Sequence, residues 1–197
     1  MDQWAAEIGA AFLKGSILVY PDDVRSGDAP ILYGGPRHVF DAVHPVLHAM
    51  GGRPVHVAED SRDVSKAARA YYCFLVPTLV AFVHGAAISL RSGYPIEAYT
   101  RDLVMSLVQG QGLTGFLARL AKACAQRRYD EDVQGTLAAW SADFHPWVDQ
   151  MEAEGVGSDH MRAIGDIYQD TLARGHAQHD LASILETMLA GPVRSDR

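Results

Sequence analysis

Only two cysteines, Cys73 and Cys124, occur in the 197 residues. They stand far apart in apolar surroundings, so a disulfide framework is excluded and no cysteine spacing for zinc exists. Basic charge is scarce too: 17 Lys and Arg face 24 Asp and Glu, for a formal charge of -7. The basic residues form no cluster, and a phosphate backbone needs one, so no nucleic acid is expected as a partner. Blocks of like charge are absent, which excludes a charged disordered tail. The longest apolar run, residues 71–90, is interrupted by Pro77, Thr78, His84 and Gly85. It reads as a buried helix rather than a membrane span, and no membrane contact is expected. No leader pattern precedes Asp2, so the expected location is cytoplasmic. What is present is apolar substance: 48% hydrophobic residues, ample for a core at this length.

Two periodicities alternate over the first sixty residues. Trp4, Ile8, Phe12 and Leu13 have helical spacing over residues 2–13, with Gly15 as the stop. Residues 16–20 read as a buried strand ended by Pro21, and 22–28 as a polar loop. A second strand is predicted over 30–33. Pro36 opens a helix with Val39, Phe40, Val43, Leu47 and Met50 on its apolar face. Gly51-Gly52 ends it, and residues 54–58 make a third strand. Three strands are too few for an independent doubly wound sheet. The sheet is expected to be covered by helices or paired with a second chain, because an open edge invites aggregation.

From residue 61 onward the pattern is helical, with Asp60 or Ser61 as N-cap. One helix is predicted to about residue 90, with a kink at Pro77. Gly93-Tyr94-Pro95 breaks it. Further helices are predicted over 96–108, 113–125, 130–154, 159–173 and 180–189, with Gly110, Gly112 and Gly115 marking a turn. Pro146 implies a break near His145. The fold class is therefore mainly α with a short α/β N-terminal part. Residues 1–60 form the α/β segment, 61–191 a helical dimerisation and substrate domain, and 192–197 a tail.

Several segments carry a resemblance. Residues 15–21 (GSILVYP) and 29–35 (APILYGG) are similar to the last strands of the nucleotide domain in imine reductases and reductive aminases. These enzymes belong to the wider β-hydroxyacid and 6-phosphogluconate dehydrogenase group. Residues 40–47 and Met50-Gly51-Gly52 resemble that family's next helix, and residues 82–87 (FVHGAA) the end of its long inter-domain helix. Gly155-Val156, Gly175-His176 and Asp180-Leu181 resemble its C-terminal helices. The resemblance implies a remnant of the last Rossmann strands, a long inter-domain helix and a helical domain. It also implies an intertwined homodimer whose cleft uses both copies. The family's opening strand, GxGxxG turn and helix have no counterpart in these residues, so no cofactor is expected to bind. One GxGxxG does occur, at residues 110–115, with Asp130, Glu131 and Asp132 at about the distance of a ribose-binding acid. No second parallel strand follows it, and it reads as a helix turn.

The resemblance also locates departures. The family's proton-handling Asp or Tyr falls at Ala68, its later aromatic at Val76, and the next helix's tryptophan near Ser106. A substrate-contacting pair falls at Ala139 and Trp140. A different polar set is expected. Tyr72 lies one turn beyond Ala68, and Ser65 one turn before it, on the same face. A phenol there could protonate an imine or hold a carbonyl, with Tyr71 the weaker neighbour. Trp140, Asp143, His145, Trp147 and Asp149 crowd one stretch. A carboxylate beside indole rings suits a cationic amine or iminium, and can act as acid or base; a half-buried helix at a dimer seam is the plain reading. The catalytic candidates are thus Tyr72 and Asp143, and the substrate-binding candidates Trp140, Ser65, Val76, Ser106 and Trp147. His44 and His48 have chelating spacing but no third ligand, so no metal is expected. His84 reads as a packing histidine, and His176, His179 and Asp180 as a capping turn.

Three functions fit this reading. The first is a cofactor-independent enzyme on an imine-reductase scaffold, cyclising, isomerising or dehydrating a small amine, imine or carbonyl compound in specialised metabolism. The second is a non-catalytic small-molecule-binding or dimerising accessory protein. The third is the substrate-domain subunit of a split NADP-dependent imine reductase, with a separate Rossmann-domain protein as partner. Fold likeness alone does not choose among them.

Overall fold

A computed structural model describes residues 2–18, 21–25, 27–142 and 144–191. The chain divides into two compact units, Met1–Ala81 and Phe82–Arg197. The first unit holds α1 (Asp2–Glu7), β1 (Lys14–Ile17), α2 (Pro21–Arg25), β2 (Pro30–Gly34), α3 (Arg37–Ala49) and β3 (Arg53–Ala58). A 3-10 turn (Ser61–Asp63) then leads into α4 (Val64–Ser92), which begins in this unit. The strand order is β1-β2-β3, antiparallel between the first two and parallel between the last two.

The central strand explains the packing. Ile31, Leu32 and Tyr33 are all buried, as a strand covered on both faces requires. Side chains alternate, so Leu32 meets Leu18 and Val64 on one face, while Ile31 and Tyr33 meet Phe40 on the other. The first residue of α4 thus plugs one face, and α3 closes the other. Gly34 is required there, since a Cβ would overlap Val64 Cγ2. Asp60 accepts from the Arg62 backbone N–H at 2.8 Å, which caps the 3-10 turn as its position predicted.

Three sequence expectations need correction here. The helix predicted over 2–13 stops at Glu7, followed by Gly9 in the left-handed region (φ 67°). Gly15 does not stop that helix; it sits inside β1, where its missing Cβ lets the Tyr33 ring lie across it. The strand therefore begins at Lys14 rather than residue 16, and Val19 and Tyr20 lie outside the described residues. The polar loop contains α2, which has Asp22 and Asp23 in its first turn and Arg25 in its last.

The second unit is helical throughout. After the end of α4, Gly93 (φ 74°) turns the chain into α5 (Ile96–Ala98), a π-helical stretch (Tyr99–Met105) and α6 (Ser106–Gln109). There follow α7 (Gln111–Gln126), α8 (Leu137–Ala142), α9 (Phe144–Ala153), α10 (Asp159–Ala173) and, after a 3-10 turn (Leu181–Ser183), α11 (Ile184–Ala190). Leu137, Phe144, Val148 and Tyr168 form its core, with Ile164, Leu172 and Ile184 against it. Thr171 and Thr187 share a buried hydrogen bond of 2.7 Å between α10 and α11.

The glycine turn is narrower than predicted. Gly110 is its extended N-cap, and Gly112 and Gly115 lie within α7. The helix predicted over 130–154 begins only at Leu137, because the backbone before it is committed elsewhere. Leu137 N–H donates to His179 O at 2.8 Å, and Thr136 bridges Asp180. The described helical residues continue as Leu137–Ala142 and Phe144–Ala153, the second stretch containing Pro146.

The largest correction concerns α4. It was expected to be buried, yet only 6% of its apolar window is buried within one chain. Tyr72, Val76, Leu79, Val83 and Leu90 recur at helical spacing down one face, and each is between 44% and 66% exposed. The helix continues through Pro77 as one element, and Thr78 Oγ1 donates to Phe74 O at 2.7 Å.

Candidate functional site

The second unit contains a cavity of about 420 Å³ walled by Phe116 and Arg119 of α7, Trp140 and Ala139 of α8, Trp147 of α9, and Asp180. Its aromatic wall is built by helix spacing. Phe116 and Arg119 are one turn apart, and the guanidinium carbon lies 5.2 Å from the Phe116 ring centroid. The Phe116 ring lies 6.2 Å from that of Trp140. Gly135 leaves room for the indole, since a Cβ there would sit 3.0 Å from Trp140 Nε1. Trp147 packs its other side on Phe144, at 6.3 Å between ring centroids, which ties the cavity wall to the core. Asp180 accepts from Ala182 N–H at 3.0 Å, so it caps the following turn as its sequence position predicted.

The same unit holds a polar knot. Arg127 adopts a left-handed conformation (φ 52°) at the end of α7 and pairs with Glu186. The buried Tyr129 hydroxyl donates to the same carboxylate at 2.5 Å. Hydrogen bonds from Arg127 and Tyr129 hold Glu186 down at about 2, while burial first, and then the Glu186 bond, lift Tyr129 to about 12. These groups are locked in their charge states around neutrality and act as fasteners rather than acids or bases.

Two histidine pairs lie in the same unit. His84 Nδ1 of α4 sits 2.9 Å from His160 Nε2 of α10, and His176 and His179 approach at 2.7 Å. Burial, and secondly the neighbouring imidazole, push both His84 and His176 below the usual histidine value. The folded chain thus keeps them neutral where the unfolded chain takes up a proton, below about pH 6.5. Stability is full above that value and falls as pH falls. A thermal melt should drop from about pH 7.5 to about pH 5.5, and the drop should shrink in His84→Gln. An unchanged pH slope in that variant would refute the role given to the pair.

Among the described residues no group of three or more His, Cys, Asp or Glu could hold a metal ion. His44 and His48 lie with ring centroids 6.3 Å apart, His44 standing edge-on to Phe40. Residues 110–115 do not suit a dinucleotide. They follow a helix rather than a strand, and Gly112 and Gly115 are helical, so no sheet edge and glycine turn come together there.

The family model for the C-terminal domain of NADPH-dependent reductive aminase-like proteins matches residues 66–190, well over half of the chain. The chain belongs to the reductive aminase-like family. An NADPH-dependent reductive aminase from Aspergillus oryzae is 23% identical over 186 residues, covering 93% of this chain and 62% of that protein. The fold is similar to an imine reductase from Myxococcus stipitatus in complex with NADP+ (TM-score 0.82, 24% identity). It is likewise similar to a reductive aminase from Aspergillus terreus in complex with NADPH and ethyl levulinate (TM-score 0.81, 22% identity). Each of the two structural matches covers 95% of this chain and 64% of the other. The chain therefore spans just under two thirds of the length of these relatives.

Within this reductive aminase-like domain the predicted site residues fall into two sets. Trp140 and Trp147 line one cavity. Ser65, Tyr72 and Val76 lie on one face of α4 in the first unit. Ser65 Oγ accepts from Lys14 Nζ at 2.8 Å, and the Tyr72 ring stands edge-on to Tyr71 at 5.7 Å. Ser106 opens α6, is exposed, and gives its carbonyl to Gly110 N–H at 3.1 Å. Asp143 lies outside the described residues. The cavity's charged lining was missed altogether: Arg119 reads in sequence as an ordinary cation on an amphipathic helix, and Asp180 as a cap alone. His160 gave no local signal either, because its partner is 76 positions away.

Proposed function

We propose that this reductive aminase-like domain holds a small amine, imine or carbonyl compound in the Trp140–Trp147 cavity, and that two copies clasp through α4. The observation that carries the reading is the convergence of Phe116, Trp140 and Trp147, from three different helices, on one cavity of ligand size. Flat aromatic walls suit a cyclic or aromatic body, and the family's relatives are named for amine and imine chemistry.

A second reading follows from residues 110–115, which build no diphosphate cradle. In that reading the domain serves acid–base chemistry on the bound compound without a hydride step: cyclisation, isomerisation or dehydration. The Tyr72 hydroxyl, on the apolar stripe of α4, is one proton donor that reading names, and the Asp143 carboxyl is the other acid–base candidate. The reading with hydride transfer requires a nucleotide domain built from residues other than these.

A tryptophan-fluorescence titration tests the cavity. Trp4, the third tryptophan, is first replaced by phenylalanine to leave Trp140 and Trp147 as reporters. Cyclohexanone and cyclohexylamine should shift the emission, and Trp140→Ala should weaken their binding at least about tenfold. No response from either compound at millimolar concentration would remove the small-molecule reading. Consumption of a bound cyclic imine without any nicotinamide dinucleotide, lost in Tyr72→Phe, would favour the acid–base reading over the hydride one.

A further inference from the structure

We propose that Arg119 makes this cavity a site for a small carboxylate-bearing molecule with an aromatic or branched apolar body. The inference rests on the reading of the cavity as a small-molecule site and names its ligand class. Arg119 Nη1 has no hydrogen-bond partner among the described residues, while the residue as a whole is half-buried and lines the cavity. A guanidinium is permanently charged, and a charged donor left without an acceptor is costly once desolvated. Asp180 lines the same cavity, yet among the described residues no ion pair joins it to Arg119. One Asp180 oxygen is already occupied by the Ala182 N–H. The guanidinium is held in place instead by the Phe116 ring, which accepts its face but offers no lone pair. An incoming acceptor is therefore the missing partner.

The chemistry of that acceptor follows from the walls. A planar guanidinium fixed against a ring presents parallel N–H donors, which a carboxylate matches with both oxygens. Trp140 and Trp147 then face the apolar remainder of the molecule. Arg119 adds to the indoles a partner for an anionic end, which an amine or imine without a carboxylate would leave unused. Joined to the family's chemistry, the class is an apolar oxo acid or the imine made from it.

The test compares phenylacetate with phenylacetamide, which share size and ring and differ in charge, using the tryptophan fluorescence of the full chain carrying Trp4→Phe. Phenylacetate should bind about tenfold more tightly or better. Arg119→Gln should bring the two probes within about twofold of each other, chiefly by weakening phenylacetate. Arg119→Lys, which keeps the charge but not the paired donors, should restore only part of the preference. Circular dichroism of each variant checks that it folds. Equal binding of the two probes by the parent overturns the carboxylate site and leaves the cavity reading intact, as does a preference that survives Arg119→Gln. Binding of neither probe overturns both.

Discussion

Val83→Asp should leave the purified protein as single copies. Val83 lies in the middle of the α4 stripe and is 65% exposed within one chain. Its neighbours on that face, Val76, Leu79 and Leu90, are each more than half exposed as well. Large exposed apolar stripes are uncommon on monomers and mark a contact surface. In a symmetric pair the same stripe faces itself, so one substitution places two unpaired carboxylates in one seam. Desolvating each costs several kcal/mol, which the apolar contacts of the seam would have to offset. Light scattering of the parent chain should give twice the 21.4 kDa of one copy, and of the variant 21.4 kDa. The helix is also long and apolar enough to cross a membrane by length and composition. A parent chain that stays monomeric, or dissolves only in detergent, would therefore overturn the clasp. The pairing has a functional side, because Tyr72 and Val76 lie on the same stripe and would be brought to the seam.

Leu137→Ala should cost roughly 2–5 kcal/mol, the range for a fully buried leucine. Leu137 is 0% exposed and sits where α8 meets Phe144, Val148 and Tyr168. It also opens the helix that carries Trp140, so the void left by its side chain loosens a cavity wall. The transition of the second unit should fall by at least about 8 °C on heating. Leu137→Met, close in volume, should lose under about 1.5 kcal/mol. A melting point unmoved by the alanine substitution would mean that the core does not rest on this side chain.

Much of this was legible from local pattern. Ile31-Leu32-Tyr33 reads as a strand buried on both faces because it is continuously apolar, and Asp159–Ala173 reads as a helix because its period and its Gly175 stop agree. Trp140 and Trp147 stood out because large aromatics seven residues apart share a helical side. The boundaries that failed were those decided by distant partners. Gly15 looks like a helix stop until Tyr33 lies across it, and residues 130–136 look helical until the 177–180 segment pairs with the backbone at either end of them.

The sequence by itself determined the family likeness and the apolar character of the long helix, since each depends on residues close together along the chain. Tertiary structure alone decided that the stripe stays uncovered within one copy. It also decided that Arg119, Trp140 and Trp147 line one cavity, and that His84 meets His160. Those facts depend on which helices approach one another, and no local spacing encodes an approach between residues tens of positions apart.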